Sequence, residues 1–405
     1  ILFPTYSYGS VSRIREDTVM GKPIKGVSLA GLVLVASGLA SFPLAGQSRT
    51  PPVVHPAGPN HGDDPYDVVE DWLQPFAESG FVWGSHPGLA VESSDRIFII
   101  QRGELAVPDP LPAGFTHYYG SAEGLSALGP RGAREMRNVI FIVDGDGELI
   151  DSWTQWDYLF EGTAGPHKVA ISPYDPERRV WVVNDGREQI HVFSNDGSEL
   201  LFSLGTWDEA GDDQTHFGRP QDVAFTQDGS ILVADGLTNS RIVKFDGDGN
   251  YLLEWGTRGS EEGQFNAVHA VATDDQDRVY VADRSNDRIQ VFDQMGEHLA
   301  TWPNLNFPNH IVITANQEVW VSDNQPVRLV KFDTDGNRLY SWDANGRGPD
   351  EFGELHAFAI DEDGNWYGAD NVLGRSLKFT PMQGADRANL MSAPVPMATP
   401  RQPRR

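Results

Sequence analysis

One short unit recurs along this chain, and it restricts the fold more than any other feature. It is clearest at 269–302, HAVATDDQDRVYVADRSNDRIQVFDQMGEHLATW. A short apolar strand is followed by an Asp-rich turn and by Val279-Tyr-Val-Ala-Asp283. A loop then leads to Arg288-Ile-Gln-Val-Phe-Asp293, a second Asp/Gly turn and a last strand ending at Trp302. Runs of β-branched and aromatic residues suit a pleated, half-buried surface, and Asp, Gly and Asn tolerate the tight reversals between them. The pattern is that of a four-stranded antiparallel meander. Its third strand returns as Gln189-Ile-His-Val-Phe, Arg241-Ile-Val-Lys-Phe, Arg328-Leu-Val-Lys-Phe and Arg375-Ser-Leu-Lys-Phe. With Arg288, the first residues lie 52, 47, 40 and 47 apart (241−189, 288−241, 328−288, 375−328). Four-stranded units at this period are propeller blades. One blade cannot bury both of its faces, so the ring must close to make a core. Strands this short, with no helical segment, argue against an open solenoid.

Six blades can be placed, at roughly 86–156, 165–207, 219–258, 267–303, 308–347 and 354–380. The chain therefore reads as an all-β, six-bladed β-propeller spanning 67–380. The sixth blade stops after three strands at Phe379, while Asp67-Val-Val-Glu-Asp-Trp72 looks like an orphan strand ahead of the first blade. Pairing the two would join the chain ends and remove an exposed edge. Blade one carries an insertion at about 103–137, rich in Pro, Gly and Tyr, placed to cover one mouth of the ring.

Outside the propeller the sequence changes character. Met20-Gly-Lys-Pro-Ile-Lys25 precedes an apolar run, Val27 to Ala40, with small residues after it. That is the pattern of an export signal over 20–46, with 1–19 as a non-native upstream segment, and it implies a secreted or periplasmic protein. A membrane anchor is the alternative, although the run is short for a spanning helix. The linker 47–66 and the tail 381–405 are Pro-rich and polar and are expected to be disordered. The net charge of −27 excludes nucleic acid as a partner, because phosphate binding needs a basic face. The chain has no cysteine, so disulfide and thiol chemistry are excluded too.

The start of each blade carries a polar slot. It reads His86-Pro-Gly-Leu-Ala, His167-Lys-Val-Ala, Gln221-Asp-Val-Ala, His269-Ala-Val-Ala, His310-Ile-Val-Ile and His356-Ala-Phe-Ala, and these slots hold five of the 11 histidines. His167, His269 and His356 fall on alternate blades, about 120° apart in a six-fold ring, so their imidazoles can meet at the axis. Three neutral nitrogens that leave a position open form the donor set of catalytic zinc. Histidines that merely hydrogen-bond across a wet channel are the plainer reading. Arg102 and Arg284 each follow the second strand of a blade, in Ile97-Phe-Ile-Ile-Gln-Arg-Gly and Val281-Ala-Asp-Arg. Their guanidinium groups would reach the same mouth and suit a carboxylate, by paired hydrogen bonds. A salt bridge to a neighbour such as Asp283 is the alternative. The turns beginning at Asp144, Asp246 and Asp361 suggest calcium loops. A loop begun at Asp246 would need Glu at Thr257, so they read as hairpins.

These residues resemble a known family. The blades resemble NHL repeats. Several stretches resemble the peptidyl-α-hydroxyglycine α-amidating lyases: 213–224, Ala234-Asp-Gly-Leu-Thr-Asn-Ser-Arg-Ile-Val-Lys-Phe, Gln101-Arg-Gly, Gly165-Pro-His-Lys, Val268-His-Ala, Ala282-Asp-Arg-Ser-Asn-Asp-Arg and the Val-Val-Glu-Asp-Trp lead-in. The resemblance covers about 67–380. It implies that His167, His269 and His356 hold a catalytic zinc and that Arg102 and Arg284 serve substrate binding and catalysis. It further implies cleavage of a C-terminal α-hydroxyglycine, in a small-molecule or peptide substrate bearing a carboxylate, to an amide and glyoxylate.

The chain departs from the family at three places. The family's tyrosine in Asp-Gly-Tyr-x-Asn-Ser-Arg is Leu237, which can neither take nor give a proton. The aspartate of a structural calcium site is Ala357, which leaves calcium weakly supported, and the family's Met is Glu354. His86, His310 and Tyr118 or Tyr119 are candidates to replace the family's tyrosine, and His86, His310, Gln221 and Leu237 are candidates for substrate-binding or auxiliary roles. Two other functions stay open: a non-catalytic NHL propeller binding a peptide, glycan or protein at its mouth, and a calcium-dependent lactonase, which a histidine ring fits poorly.

Overall fold

The computed structural model describes residues 60–77, 79–107, 110 and 134–400. The expected upstream segment, the export signal, most of the linker and Tyr118 and Tyr119 lie outside the described residues. No described helix is long and apolar enough to cross a membrane.

Six four-stranded antiparallel sheets form the blades. Blade one is Gly88–Ser93, Arg96–Ile100, Ile140–Val143 and Leu149–Ser152; blade two is Lys168–Ile171, Val180–Asn184, Gln189–Phe193 and Leu200–Leu204. Blade three is Pro220–Phe225, Ile231–Asp235, Arg241–Phe245 and Tyr251–Trp255; blade four is Val268–Thr273, Val279–Asp283, Arg288–Phe292 and His298–Trp302. Blade five is Pro308–Ile313, Val319–Asn324, Val327–Phe332 and Arg338–Asp343. Blade six is Leu355–Ile360, Trp366–Asp370 and Arg375–Pro381, completed on its outside by Tyr66–Val68.

The core is not central but divided among the seams between blades. Blades one and two share Phe98, Ile142 and Val182; two and three share Trp181 and Val233; three and four share Ala234 and Val279. Blades four and five share Tyr280 and Val321, five and six share Trp320 and Trp366, and six and one share Tyr367 and Ile99. Six seams joining six blades in sequence close the ring. The chain ends are joined as the sequence implied, with a shift in register. Tyr66–Val68 pairs with Arg375–Pro381, and the Val69 N–H donates to the Lys378 carbonyl at 2.8 Å. Trp72, expected within that strand, instead leaves the sheet. Its ring packs on Tyr367 with centroids 5.1 Å apart, and its Nε1 donates to the Gly145 carbonyl.

The Asp-rich turns are hairpins, as expected. Asp246 Oδ1 accepts the N–H groups of Asp248 and Asn250, and Asp144, Asp293, Asp333 and Asp361 do the same in their blades. The aspartate replaces the backbone carbonyls that a tight turn leaves out of reach.

The C-terminal segment departs from expectation. Residues 381–400 are laid along the face where the inner strands end. The Met391 N–H donates to the Tyr66 hydroxyl, the Ala315 N–H of blade five to the Ala393 carbonyl, and the Ala398 N–H to the Pro173 carbonyl of blade two. Proline-rich composition predicted disorder, but Met391 is buried against the core and backbone hydrogen bonds hold both ends of the segment.

Candidate metal centre

The geometry of the site begins with an aspartate outside it. Asp235, Asp283, Asp323 and Asp370 lie in the last two residues of the second strands of blades three to six and are fully buried. Each accepts the N–H of a residue just before the inner strand of its blade: Gly218 at 2.7 Å, Asn266 at 2.6 Å, Asn306 at 2.6 Å and Gly353 at 2.8 Å. In blades three to five the other oxygen takes the third-strand arginine, Arg241, Arg288 or Arg328. Aspartate, arginine and entering loop are thus one buried unit, which fixes where the next few residues sit.

Those residues include a bulge. The register skips one residue between Pro220 and Asp222, Val268 and Ala270, Pro308 and His310, and Leu355 and Ala357. The skipped residues are Gln221, His269, Asn309 and His356. Their equivalents in blades one and two, just before the first paired residue, are Pro87 and His167. An unpaired bulge residue is free to point its side chain or carbonyl at the axis.

His167, His269 and His356 do converge. Their ring centroids lie 5.0, 4.8 and 5.0 Å apart, all three are buried, and one ligand atom from each lies within 4.8 Å of the others. Each Nδ1 contacts a backbone carbonyl of the following blade: His167 with Gln221 at 2.7 Å, His269 with Asn309 at 2.7 Å and His356 with Pro87 at 2.6 Å. A carbonyl only accepts, so Nδ1 carries the proton and Nε2 is left with its lone pair. His269 Nε2 is buried with no hydrogen-bond partner. The six bulge positions thus alternate: three give imidazoles, and the three between them give the carbonyls that orient those imidazoles. Burial is the main cause that holds all three histidines below their ordinary range, His356 at about 4. Arg284 adds to this for all three, and Arg102 for His167 and His356. Three neutral nitrogens in a ring, each with its other nitrogen fixed by a carbonyl, could hold a metal ion.

The structure corrects the slot assignment in two blades. His86 stands one residue before the bulge position and turns away from the axis. It packs between Trp83 and Phe141, with Nδ1 3.0 Å from Ser376 Oγ. His310 stands one residue after it, in the layer below, where its nitrogens lie 2.8 and 2.9 Å from Lys168 Nζ. Gln221 contributes its carbonyl to the site. Its amide donates to the carbonyls of Arg219 and Pro220.

Arg102 and Arg284 begin the same loop in blades one and four, which face each other across the ring. The Arg102 Nε–H donates to the Pro166 carbonyl, and an amino group donates to Asn371 Oδ1. The alternative of an Arg284–Asp283 bridge does not hold, because Asp283 is engaged by Arg288 at 2.8 Å. Arg284 stacks on the Phe307 ring at 4.6 Å, and its buried Nε has no hydrogen-bond partner. Burial pushes it down to about 10 against the opposing charge of Glu354. Leu237 is half-buried, one residue beyond the equivalent position in blade three, with its N–H on the Arg219 carbonyl.

Asn309 and Asn371 join the site although sequence reasoning did not place them here, and Glu354, noted only as a departure from the family, links them. Glu354 accepts from Asn309 Nδ2 at 2.9 Å and from Asn371 Nδ2 at 2.8 Å. Burial would raise its carboxyl, but His356, the two amides and Arg284 hold it below the ordinary range. A polar chain therefore runs from His269 through Asn309, Glu354 and Asn371 to Arg102.

The NHL repeat model matches residues 217–245 and 265–292, within blades three and four. A probable peptidyl-alpha-hydroxyglycine alpha-amidating lyase of Caenorhabditis elegans is 38% identical over 130 residues, 31% of this chain and 36% of that protein. Peptidyl-glycine alpha-amidating monooxygenase B of Xenopus laevis is 28% identical over 325 residues, 75% of this chain and 35% of that protein. Human NHL repeat-containing protein 3 is 31% identical over 193 residues, 45% of this chain and 53% of that protein. The chain matches about a third of the length of the two amidating relatives. Among solved structures, a virginiamycin B lyase from Staphylococcus aureus superposes with a TM-score of 0.49 at 12% identity, covering 78% of this chain and 100% of that one. The chain is an NHL-repeat β-propeller that resembles the peptidyl-α-hydroxyglycine α-amidating lyases.

Proposed function

We propose that this chain is a zinc-dependent carbon–nitrogen lyase of the amidating type, acting on an α-hydroxy-amide at the mouth above the three histidines. The observation that carries this reading is the convergence of His167, His269 and His356 with each Nδ1 fixed on a carbonyl. The donor set fits zinc, which when bound supplies Lewis acidity toward the substrate hydroxyl.

The chain's own residues would bind and orient. Arg102 and Arg284, opposite each other, suit a substrate carboxylate. Arg284 has a buried donor without an acceptor, which supports an anionic ligand there. In the reaction the hydroxyl loses its proton, the carbon–nitrogen bond breaks and the amide nitrogen gains a proton, leaving an amide and glyoxylate. The export pattern at 20–46 supports action outside the cytoplasm.

Leu237, at the family's tyrosine position, favours a second reading in which the mouth binds a peptide, glycan or protein without turnover. A glyoxylate-release assay with a hydroxyglycine-terminated peptide separates the two. The lyase reading expects release that His269→Ala abolishes together with metal content, and that Arg284→Met lowers while metal is retained. Metal binding without release would favour the second reading.

A further inference from the structure

The channel continues below the histidines into a second chamber. Directly under them lies a layer made of Lys168, Asp222 and His310, each buried. Lys168 Nζ contacts the His310 ring and stands 3.8 Å from Asp222, beyond hydrogen-bond reach. Asp222 accepts the Val223 and Val271 N–H groups, and its charge is paired with Lys168 without a direct hydrogen bond. An ammonium has three N–H donors. Among the described residues, that of Lys168 meets the His310 ring and the Asp222 charge, and Lys168 also lines the space beneath this layer.

That space is built by the repeat. Two residues below the polar layer, the blades place Ala90, Ala170, Ala224, Ala272, Val312 and Ala359, which line a cavity of about 230 Å³. The residues just above these on each inner strand, such as Leu89, Val169 and Ile311, are buried in the seams. Five alanines in six blades widen the channel where larger side chains would fill it. The C-terminal segment crosses this mouth from blade five to blade two, which face each other, and Pro394, Val395 and Met397 form the cavity's roof.

We propose that this chamber is a second ligand site, separate from the metal centre, for a small molecule with a short apolar body and a carboxylate head held by Lys168. Small residues from all six blades would enclose the body. The head would pair with the ammonium of Lys168, which lines the chamber. A cationic head would meet Lys168 at the same place and is disfavoured.

Isothermal titration of the full chain with hexanoate, hexanol and hexylammonium tests this. Hexanoate should bind with one site per chain, and the other two at least about tenfold more weakly, the size expected for losing a charged hydrogen bond. Ala224→Leu, in a blade without a metal-binding histidine, should abolish binding by filling the chamber, and Lys168→Met should weaken it about tenfold. Arg284→Met should leave it unchanged. Absence of saturable binding at millimolar hexanoate would overturn the proposal. So would binding that survives Ala224→Leu and is lost in Arg284→Met, because the carboxylate would then sit at the histidine mouth.

Discussion

At the scale of single residues, the site depends on groups whose partners lie in neighbouring blades. Glu354 receives amides from Asn309 in blade five and Asn371 in blade six, and it sits in the field of His356 and Arg284. Removing its charge should disturb the metal centre without removing a ligand. Glu354→Gln is expected to weaken metal binding by about tenfold or more, as outer-shell substitutions do; competition against a chelating dye measures this. His86 has a different role. It is fully buried and its pKa is pushed down to about 3 by burial. A depressed histidine binds its proton in the unfolded chain first, so its contribution to stability is complete above about pH 6.5. Below that it is lost by about 1.4 kcal/mol per pH unit down to its folded value. His86→Gln should therefore flatten the fall in Tm between pH 6.5 and 4, seen by thermal melts across that range. The convergence of His167, His269 and His356 was legible in the sequence, but the wider slot was not. Spacing alone hides a one-residue bulge, so His86 and His310 looked equivalent to the others. A better ruler was present: the bulge residue lies 14 positions before the polar end of the second strand in five blades (101−87, 235−221, 283−269, 323−309, 370−356). It selects Pro87 and Asn309, and only the buried bond from that end to the entering loop explains why.

At the scale of the element, blades two, four and five are registered on their neighbours by a turn. There the turn between third and fourth strands carries a glycine that lies on a tryptophan at the end of the preceding blade. Gly296 lies against Trp255, and Gly336 against Trp302. Both have φ near +85°, at +83 and +85, and a Cβ would lie 2.6 and 2.4 Å from the ring atoms. Gly336→Ala therefore meets both a left-handed backbone and a steric clash, and should destabilise by about 1–3 kcal/mol. A lowered urea midpoint with unchanged slope would show it. Strand order and hairpins were readable because Asp and Gly mark the turns locally. The sequence did not reveal that residues 381–400 dock, since a proline-rich segment shows its hydrogen bonds only against the strands that accept them.

At the scale of the molecule, a ring has no strong side and is limited by its closure. Tyr66 joins the first strand to the last blade: it packs on Trp342 and Trp366, and its hydroxyl accepts the Met391 N–H. Tyr66→Ala should cost about 3 kcal/mol and loosen both the closing strand and the C-terminal segment. Hydrogen exchange would then rise together in 66–68 and 391–398, and an unchanged exchange rate in either would uncouple them. A bound metal should raise Tm by mass action, since it joins residues from blades two, four and six that the unfolded chain keeps apart. These blades bring three imidazoles to a point where one ion could be held. Anomalous diffraction at the zinc edge from crystals of zinc-loaded protein tests zinc binding there most directly. The expected result is one strong peak at about 2.0–2.1 Å from the Nε2 atoms of His167, His269 and His356, absent in His269→Ala. Zinc-loaded crystals with no peak between those histidines would contradict it.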